Sequence, residues 1–126
     1  KITKKKREKI QVRKQTNKMI ILTSRPYVDE KTKLFANQFE NCEIHKKGSS
    51  LKICSIAAGD ANLYPRFGST MEWDICAAHV ILKTSGGSLT DLTITEIIYG
   101  KEKFHNGSFI TFGNINEEDL AKKLKF

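Results

Sequence analysis

Apolar positions along the chain change their period several times, and each period predicts a helix or a strand. Residues 20–23 form a β-branched apolar run that is typical of a buried strand. Residues 29–40 place apolar side chains at helical spacing and predict a helix of about three turns. The same reasoning predicts strands at 42–45, 60–67, 88–98 and 109–112, and helices at 51–58, from Thr70 to the pair Gly86-Gly87, and at 116–125. Because strands and helices alternate, we expect an α/β fold with a parallel or mixed sheet flanked by helices.

The net charge is concentrated in one segment. A formal charge of +8 is typical of a nucleic-acid binder, but residues 1–18 contain nine basic residues and one acidic residue, whereas the other 108 residues contain thirteen of each. We therefore expect a basic leader or connector at residues 1–18 and one α/β domain at residues 19–126. The leader lacks the interleaved aromatic residues that stack on bases, which disfavours nucleic acid as a partner.

The spacing of the cysteines and the hydropathy of the chain indicate the cellular compartment in which we expect the protein. Cys42, Cys54 and Cys76 are widely spaced and form no metal-site or redox pair, which indicates a reduced, cytoplasmic compartment. Their apolar neighbours predict buried structural thiols. His79 also lies among apolar residues, and we expect a core histidine there rather than a metal ligand. No apolar run approaches the ~18 residues that a membrane span needs, so no membrane partner is expected.

Four residues are candidates for binding. Asp74 stands at the mouth of an apolar helix, where it is either a carboxylate stabilised by the helix dipole or a ligand for a hard cation such as Mg²⁺. Ser49 and Lys52 flank a helix start, which suits either an anion site or an ordinary cap with a solvated lysine. Arg66 follows Pro65, and its guanidinium suits either bidentate phosphate binding or the surface. Together these residues indicate an anion site beside a cation ligand.

Three blocks of sequence resemble the inositol monophosphatase superfamily. The segment Thr70-Met71-Glu72-Trp73-Asp74-Ile75-Cys76-Ala77-Ala78-His79, followed by Gly86-Gly87, resembles its W-D-x-A-A motif. Two earlier blocks are similar to the 3′(2′),5′-bisphosphate nucleotidase branch, the CysQ-type enzymes of sulfur assimilation; they are Gly48-Ser49-Ser50-Leu51-Lys52 and Leu63-Tyr64-Pro65-Arg66-Phe67-Gly68. The order and spacing of the blocks agree from about residue 20 to residue 114. The resemblance implies the carboxyl-terminal half of that family's layered α/β fold.

The resemblance also implies an activity. The implied activity is that of a Mg²⁺-dependent phosphatase, which removes the 3′-phosphate of adenosine 3′,5′-bisphosphate and leaves AMP. In this family, metal ions polarise the phosphate and generate the attacking hydroxide. Asp74 matches the metal ligand of the family, while Ser49, Lys52 and Arg66 match positions that contact the substrate. The alternatives are an inositol monophosphatase-type sugar phosphatase and a non-catalytic basic module that binds nucleic acid or polyphosphate.

Two departures from the family pattern change the expectation for this chain. Tyr27 stands where the branch often carries a histidine, and the family's D-P-x-D-G-T motif has no counterpart, since no aspartate here is followed by glycine. One carboxylate holds Mg²⁺ poorly. We therefore assign no catalytic residue, and we expect this polypeptide alone to hydrolyse little or nothing. A separate amino-terminal half is the expected partner, and it would cover an apolar surface exposed by the strands.

Overall fold

The structure, a computed structural model, describes residues 9–14, 18–24, 29–48, 51–68 and 70–125. Its seven strands are β1 (Met19–Ser24), β2 (Cys42–Lys47), β3 (Leu63–Arg66), β4 (Thr70–Met71), β5 (Ser88–Thr90), β6 (His105–Asn106) and β7 (Phe109–Phe112). Its four helices are α1 (Glu30–Ala36), α2 (Leu51–Ala57), α3 (Cys76–Thr84) and α4 (Glu117–Lys123). Two 3₁₀ turns, at Glu72–Asp74 and Glu102–Phe104, complete the described elements.

Five strands form one mixed sheet in the order β2, β1, β3, β7, β5. β1 is parallel to β2 and to β3, whereas β7 is antiparallel to both β3 and β5. β4 and β6 form a separate two-stranded sheet, in which Thr70 lies opposite Asn106. Because β1, β2 and β3 are parallel, their carboxyl ends lie at the same edge of the sheet, and α2 begins shortly after β2 ends there. The predicted α/β class with a mixed sheet flanked by helices is confirmed.

Helices cover both faces of this sheet. Alternate residues of β1 point to opposite faces, so Leu22 packs with α2 and α3 while Ile21 packs with α1 and α4. β7 does the same with Phe109 and Phe112. The expectation that the strands expose an apolar surface is therefore wrong, because two helical layers bury both faces of the central strands.

Part of the basic segment lies against the domain. Ile10 and Val12 pack against the cluster formed with α2 and α3, and the Val12 N–H donates to the Ser85 carbonyl over 3.1 Å. Glycines allow this close approach, since a Cβ on Gly113 would lie 2.8 Å from Val12 Cβ. A Cβ on Gly59, where φ is +83°, would lie 2.9 Å from the Gln11 carbonyl oxygen. Residues 10–13 therefore extend along the surface of the packed domain.

The helix predicted at 29–40 is shorter than expected. Asp29 caps it, and its side chain accepts from the Thr32 N–H over 2.7 Å, but the helix ends at Ala36. Beyond it, the Gln38 side chain donates to the Lys123 carbonyl, and the Lys123 ammonium donates to the Gln38 carbonyl over 3.1 Å. These contacts with α4 take the chain out of the helix. By contrast, α4 begins after its predicted cap, Asn116, whose side chain accepts from the Asp119 N–H.

Two further boundaries differ from prediction. The helix expected from Thr70 begins only at Cys76, because Thr70 and Met71 pair with β6 instead. The strand expected at 88–98 ends at Thr90. The carboxylate of Asp91 then accepts hydrogen bonds from residues 93 and 95, which folds the chain into a tight turn.

No helix in the described part of the chain is long and apolar enough to cross a membrane.

Candidate functional site

A buried lysine marks the edge of the sheet where α2 begins. Lys52 lies in the first turn of α2, and only 3% of it is exposed. Its ammonium donates to the Lys47 carbonyl over 3.2 Å and lies 5.2 Å from the centre of the Tyr64 ring. In the described part of the chain, no carboxylate forms an ion pair with it. A desolvated cation without an acidic partner is costly, so the position is one where a bound anion would be favourable.

Arg66 adds a second positive charge at this position. It ends β3, and the two-residue period of a strand places it on the same face as Tyr64, whose ring lies beneath the Lys52 ammonium. Burial, and then the nearby charge of Arg66, lower the pKa of Lys52. Arg66 therefore lies close enough to Lys52 for the two charges to interact, while the role of both residues in binding an anion stays a prediction. Two neighbouring cations repel each other, and an anion bound between them would relieve that repulsion.

Asp74 lies on the surface at the end of a 3₁₀ turn. Its Oδ2 accepts from the Met71 N–H over 2.9 Å, and in the described chain this is its one hydrogen bond. The carboxylate thus closes the turn before α3, while Ile75 occupies the N-cap position of α3 itself. No described contact joins Asp74 to Lys52 or to Arg66.

The described residues do not by themselves make a metal site. Among them, no group of three or more histidine, cysteine or acidic side chains could hold a metal ion. Mg²⁺ needs near-octahedral oxygen coordination, and Asp74 offers a single exposed carboxylate. Further oxygen ligands would have to come from another polypeptide segment, from water or from the substrate.

Two positions from the sequence analysis lie outside the described residues, namely Ser49 and Tyr27. Cys76 is described, and the expectation of a buried thiol is wrong for it, because it is exposed on the outer side of α3. Cys42 and Cys54 are partly buried.

Sequence reasoning missed a set of contacts around Glu72. This carboxylate is buried and accepts from the Gly100 N–H over 2.8 Å, from the Lys101 N–H over 3.1 Å and from the Lys101 ammonium over 2.5 Å. We call these contacts the Glu72 clasp. The hydrogen bond from the Lys101 ammonium, together with those from the two backbone N–H groups, lowers the pKa of Glu72. The clasp fastens residues 98–101 to the turn that carries Asp74.

His79 fastens the same loop from the side of α3. Its Nδ1 lies 2.7 Å from the Tyr99 hydroxyl, whereas its Nε2 is 3.4 Å from a Glu96 carboxylate oxygen, a long ionic contact without hydrogen-bond geometry. Burial lowers the pKa of His79, and the negative charge of Glu96 opposes that shift. Burial also raises the pKa of Tyr99 to about 12. The prediction of a core histidine is confirmed.

The residues that the sequence analysis did not predict differ in whether the sequence contained a signal for them. Tyr64 could have been placed beside Arg66 from the period of a strand, since both lie in the same motif block. Glu72 and Gly100 are separated by 28 residues, and no local pattern in the sequence links them.

Comparison with known proteins finds curated relatives that match most of the chain. The chain is 38% identical over 93 residues to the 3′(2′),5′-bisphosphate nucleotidase CysQ of Buchnera aphidicola, which covers 71% of this chain and 35% of that protein. It is 36% identical over 104 residues to the enzyme of the same name from Escherichia coli K12, covering 82% of this chain and 42% of that protein. The chain thus spans less than half the length of these curated relatives.

A solved structure shows the same fold. The crystal structure of CysQ from Bacteroides thetaiotaomicron, a bacterial member of the inositol monophosphatase family, superimposes with a TM-score of 0.68 at 32% identity, over 78% of this chain and 38% of that one. The family model for the inositol monophosphatase family matches residues 2–126. The mixed sheet between helical layers agrees with this match, as do the motif blocks around Lys52, Arg66 and Asp74. The chain therefore belongs to the inositol monophosphatase family, whose members are phosphatases.

Proposed function

We propose that this chain supplies the nucleotide-binding part of a Mg²⁺-dependent phosphatase of sulfur metabolism in the cytoplasm. Its substrate would be adenosine 3′,5′-bisphosphate, from which hydrolysis releases the 3′-phosphate and leaves AMP. Lys52, Arg66 and Ser49 would contact the substrate, and Asp74 would contribute one ligand to the metal. When bound, Mg²⁺ would supply Lewis-acid polarisation of the phosphate and a hydroxide nucleophile.

The buried ammonium of Lys52 is the observation that carries this proposal. It is desolvated, it lies beside Arg66, and its described partners are a carbonyl and an aromatic face rather than an acid. A phosphate group would satisfy the remaining donors of Lys52, while the planar guanidinium of Arg66 suits a second phosphate oxygen pair. Two cations at one position favour a bisphosphate over a monophosphate.

Hydrolysis by this polypeptide alone is expected to be very low. Asp74 is one exposed carboxylate, and the described chain contains no cluster of further acids around it. The chain also spans only 42% of its relative from E. coli. Acidic ligands from a segment outside residues 1–126 would therefore be needed for turnover.

Binding of nucleotide to the purified chain tests the proposal directly. We expect adenosine 3′,5′-bisphosphate to bind more tightly than AMP in isothermal titration calorimetry. Lys52→Met should weaken binding by about tenfold or more, since a charged hydrogen bond to phosphate is worth roughly 1.5–3 kcal/mol. Lys122→Met is the matched control, because Lys122 is an exposed lysine on α4, across the sheet. It should leave the affinity unchanged.

Other outcomes would favour the alternatives. Tighter binding of inositol phosphates than of the nucleotide would favour a sugar phosphatase, whereas tight, salt-sensitive binding of DNA or polyphosphate would favour the basic module. In a phosphate-release assay with Mg²⁺, we expect the chain alone to be nearly inactive. Turnover by the chain alone that Asp74→Ala abolishes would overturn the requirement for a complementary segment.

A further inference from the structure

Within the described residues, neutral groups alone hold the buried ammonium of Lys52. Its Nζ donates to the Lys47 carbonyl over 3.2 Å and lies 5.2 Å from the centre of the Tyr64 ring. An ammonium has three N–H donors, and neither the carbonyl nor the face of the ring cancels its positive charge. A carboxylate in either place would neutralise Lys52 and compete with an anionic ligand. The contacts therefore fix the cation and leave its charge available.

Tyr64 is itself held firmly. It is 5% exposed, and its ring packs edge-to-face against Phe109, with the ring centres 5.8 Å apart and the ring planes at 86°. Its backbone pairs with Thr111 in the middle of the five-stranded sheet. Pro65 follows Tyr64 and restricts it to extended backbone geometry. The ring is thus a fixed partner for the ammonium.

Two other lysines in the described part of the chain lie over aromatic rings at similar distances. Lys101 lies 5.5 Å from the centre of the Tyr99 ring, and Lys123 lies 5.1 Å from the centre of the Phe39 ring. Both lysines remain partly exposed. Water weakens the attraction between a cation and a ring, whereas desolvation strengthens it. The ring beneath the buried Lys52 therefore has the largest effect of the three.

We propose that Tyr64 is a positioning residue of the anion site, whose ring, together with the Lys47 carbonyl, holds the Lys52 ammonium in place and keeps it charged. The inference rests on the proposed function, in which Lys52 contacts a phosphate group of the nucleotide. Burial, and then the charge of Arg66, already lower the pKa of Lys52. Loss of the ring face would remove a contact that favours the charged form, so it would lower that pKa further.

The ionisable groups around Lys52 come from the elements packed against α2. β3 contributes Arg66 and the phenol of Tyr64, while β2 contributes Lys47, whose own ammonium donates to the Ser55 hydroxyl over 3.0 Å. β7 carries no ionisable side chain. The ionisable residues of α3 contact the loop at 96–99 or are exposed, namely Cys76, His79 and Lys83.

Fluorination of the ring tests this role while the shape of the core is kept. Tyr64→Phe and Tyr64→3,4,5-trifluorophenylalanine, the latter made by amber suppression, have rings of similar size, but fluorine removes the negative charge of the ring face. Calorimetry with adenosine 3′,5′-bisphosphate from about pH 7 to about pH 10 measures binding across the range in which a buried lysine titrates. ¹³C NMR of the lysine ε-carbons measures the pKa of Lys52, whose signal is the one missing from Lys52→Met.

We expect Tyr64→Phe to bind the nucleotide within about twofold of the parent, because the ring face is kept. The fluorinated variant should raise the dissociation constant about threefold to tenfold, as expected for loss of a desolvated cation–π contact. Its Lys52 should have a lower pKa. Because only the ammonium form binds phosphate, its affinity should also begin to fall at a lower pH than that of Tyr64→Phe.

Tyr64→Leu and Phe112→Leu form a second, matched pair. Each replaces a buried aromatic ring with leucine, but Phe112 faces the opposite helical layer. Both should lower the melting temperature in circular dichroism. Tyr64→Leu alone should weaken nucleotide binding and shift its alkaline limb to lower pH.

Equal affinities and equal values of the Lys52 pKa in Tyr64→Phe and the fluorinated variant would overturn the positioning role. An equal loss of binding in Phe112→Leu and Tyr64→Leu would overturn it as well. A lower pKa of Lys52 in the fluorinated variant, with no nucleotide binding even by the parent chain, would overturn the proposed function and leave the hold of Tyr64 on Lys52 standing.

Discussion

The two helical layers bury equally apolar faces of one sheet, yet their outer sides differ. The layer of α1 and α4 contacts the sheet through Phe35 and Leu120, and its outer side is mainly charged. Among the described residues, Lys52, Glu72 and His79 are buried in the layer of α2, α3 and the turn before α3. The outer side of this layer exposes large apolar side chains, including Trp73, Val80 and Ile81. Buried charge and exposed apolar surface both reduce the stability of an isolated domain. Both features are concentrated on the side of α2 and α3, which is the side that carries the proposed nucleotide-binding residues Lys52 and Arg66.

The largest expected effect tests whether the two helical layers contribute equally to the stability of the core. Phe109 faces α2 and α3, Phe112 faces α1 and α4, and each is 1% exposed. Phe109→Ala and Phe112→Ala should each lower the free energy of unfolding by about 3–5 kcal/mol, measured by urea denaturation. A cost below about 1 kcal/mol for either variant would show that its layer does not share in one cooperative core.

A smaller effect of opposite sign is expected at the buried cation. Lys52→Met removes a desolvated charge and keeps the apolar stem, so it should raise the free energy of unfolding by about 1 kcal/mol while it weakens nucleotide binding by about tenfold or more. Urea denaturation beside calorimetry measures both quantities. Lys122→Met should change neither. A destabilised Lys52→Met would show that this lysine serves the fold rather than a ligand.

The smallest effect concerns pH. Burial lowers the pKa of His79 in the folded state below its ordinary 6.5, so the unfolded state binds more protons in that range. The contribution of His79 to the free energy of unfolding is therefore complete above pH 6.5, and it is lost as the pH falls through the folded-state pKa. Carboxylates with a lowered pKa, such as Glu72, lose their contribution to stability only below about pH 4.5. Melting temperatures between about pH 7 and pH 5.5 should fall less steeply in His79→Gln than in the parent.

His45→Gln is the control for this measurement, because His45 is exposed on the edge strand β2. The decrease in the slope of melting temperature against pH should be larger for His79→Gln than for His45→Gln, because His79 is buried and His45 is exposed. An equal slope in His79→Gln and the parent would show that another group controls stability in this range.

Elements with complete local signals could be predicted from the sequence. The cap at Asn116, acids and then lysines along the next two turns, and a buried Leu120 define α4 without any tertiary information. β1 and β7 are similarly plain, because short apolar runs with β-branched or aromatic residues favour buried strands. The predicted boundaries were wrong where distant segments compete for the backbone, as at Thr70 with β6 and at Gln38 with α4.

The sequence by itself determined the alternation of strands and helices, the three motif blocks and the concentration of positive charge in residues 1–18. Only the tertiary structure decided that Lys52 is buried beside Arg66, that Glu72 holds a loop 28 residues away, and that α3 is apolar on its outer side as well as its inner side. The reason is physical: periodicity reports which side of an element is apolar, whereas burial of a charge depends on which distant segments pack against it.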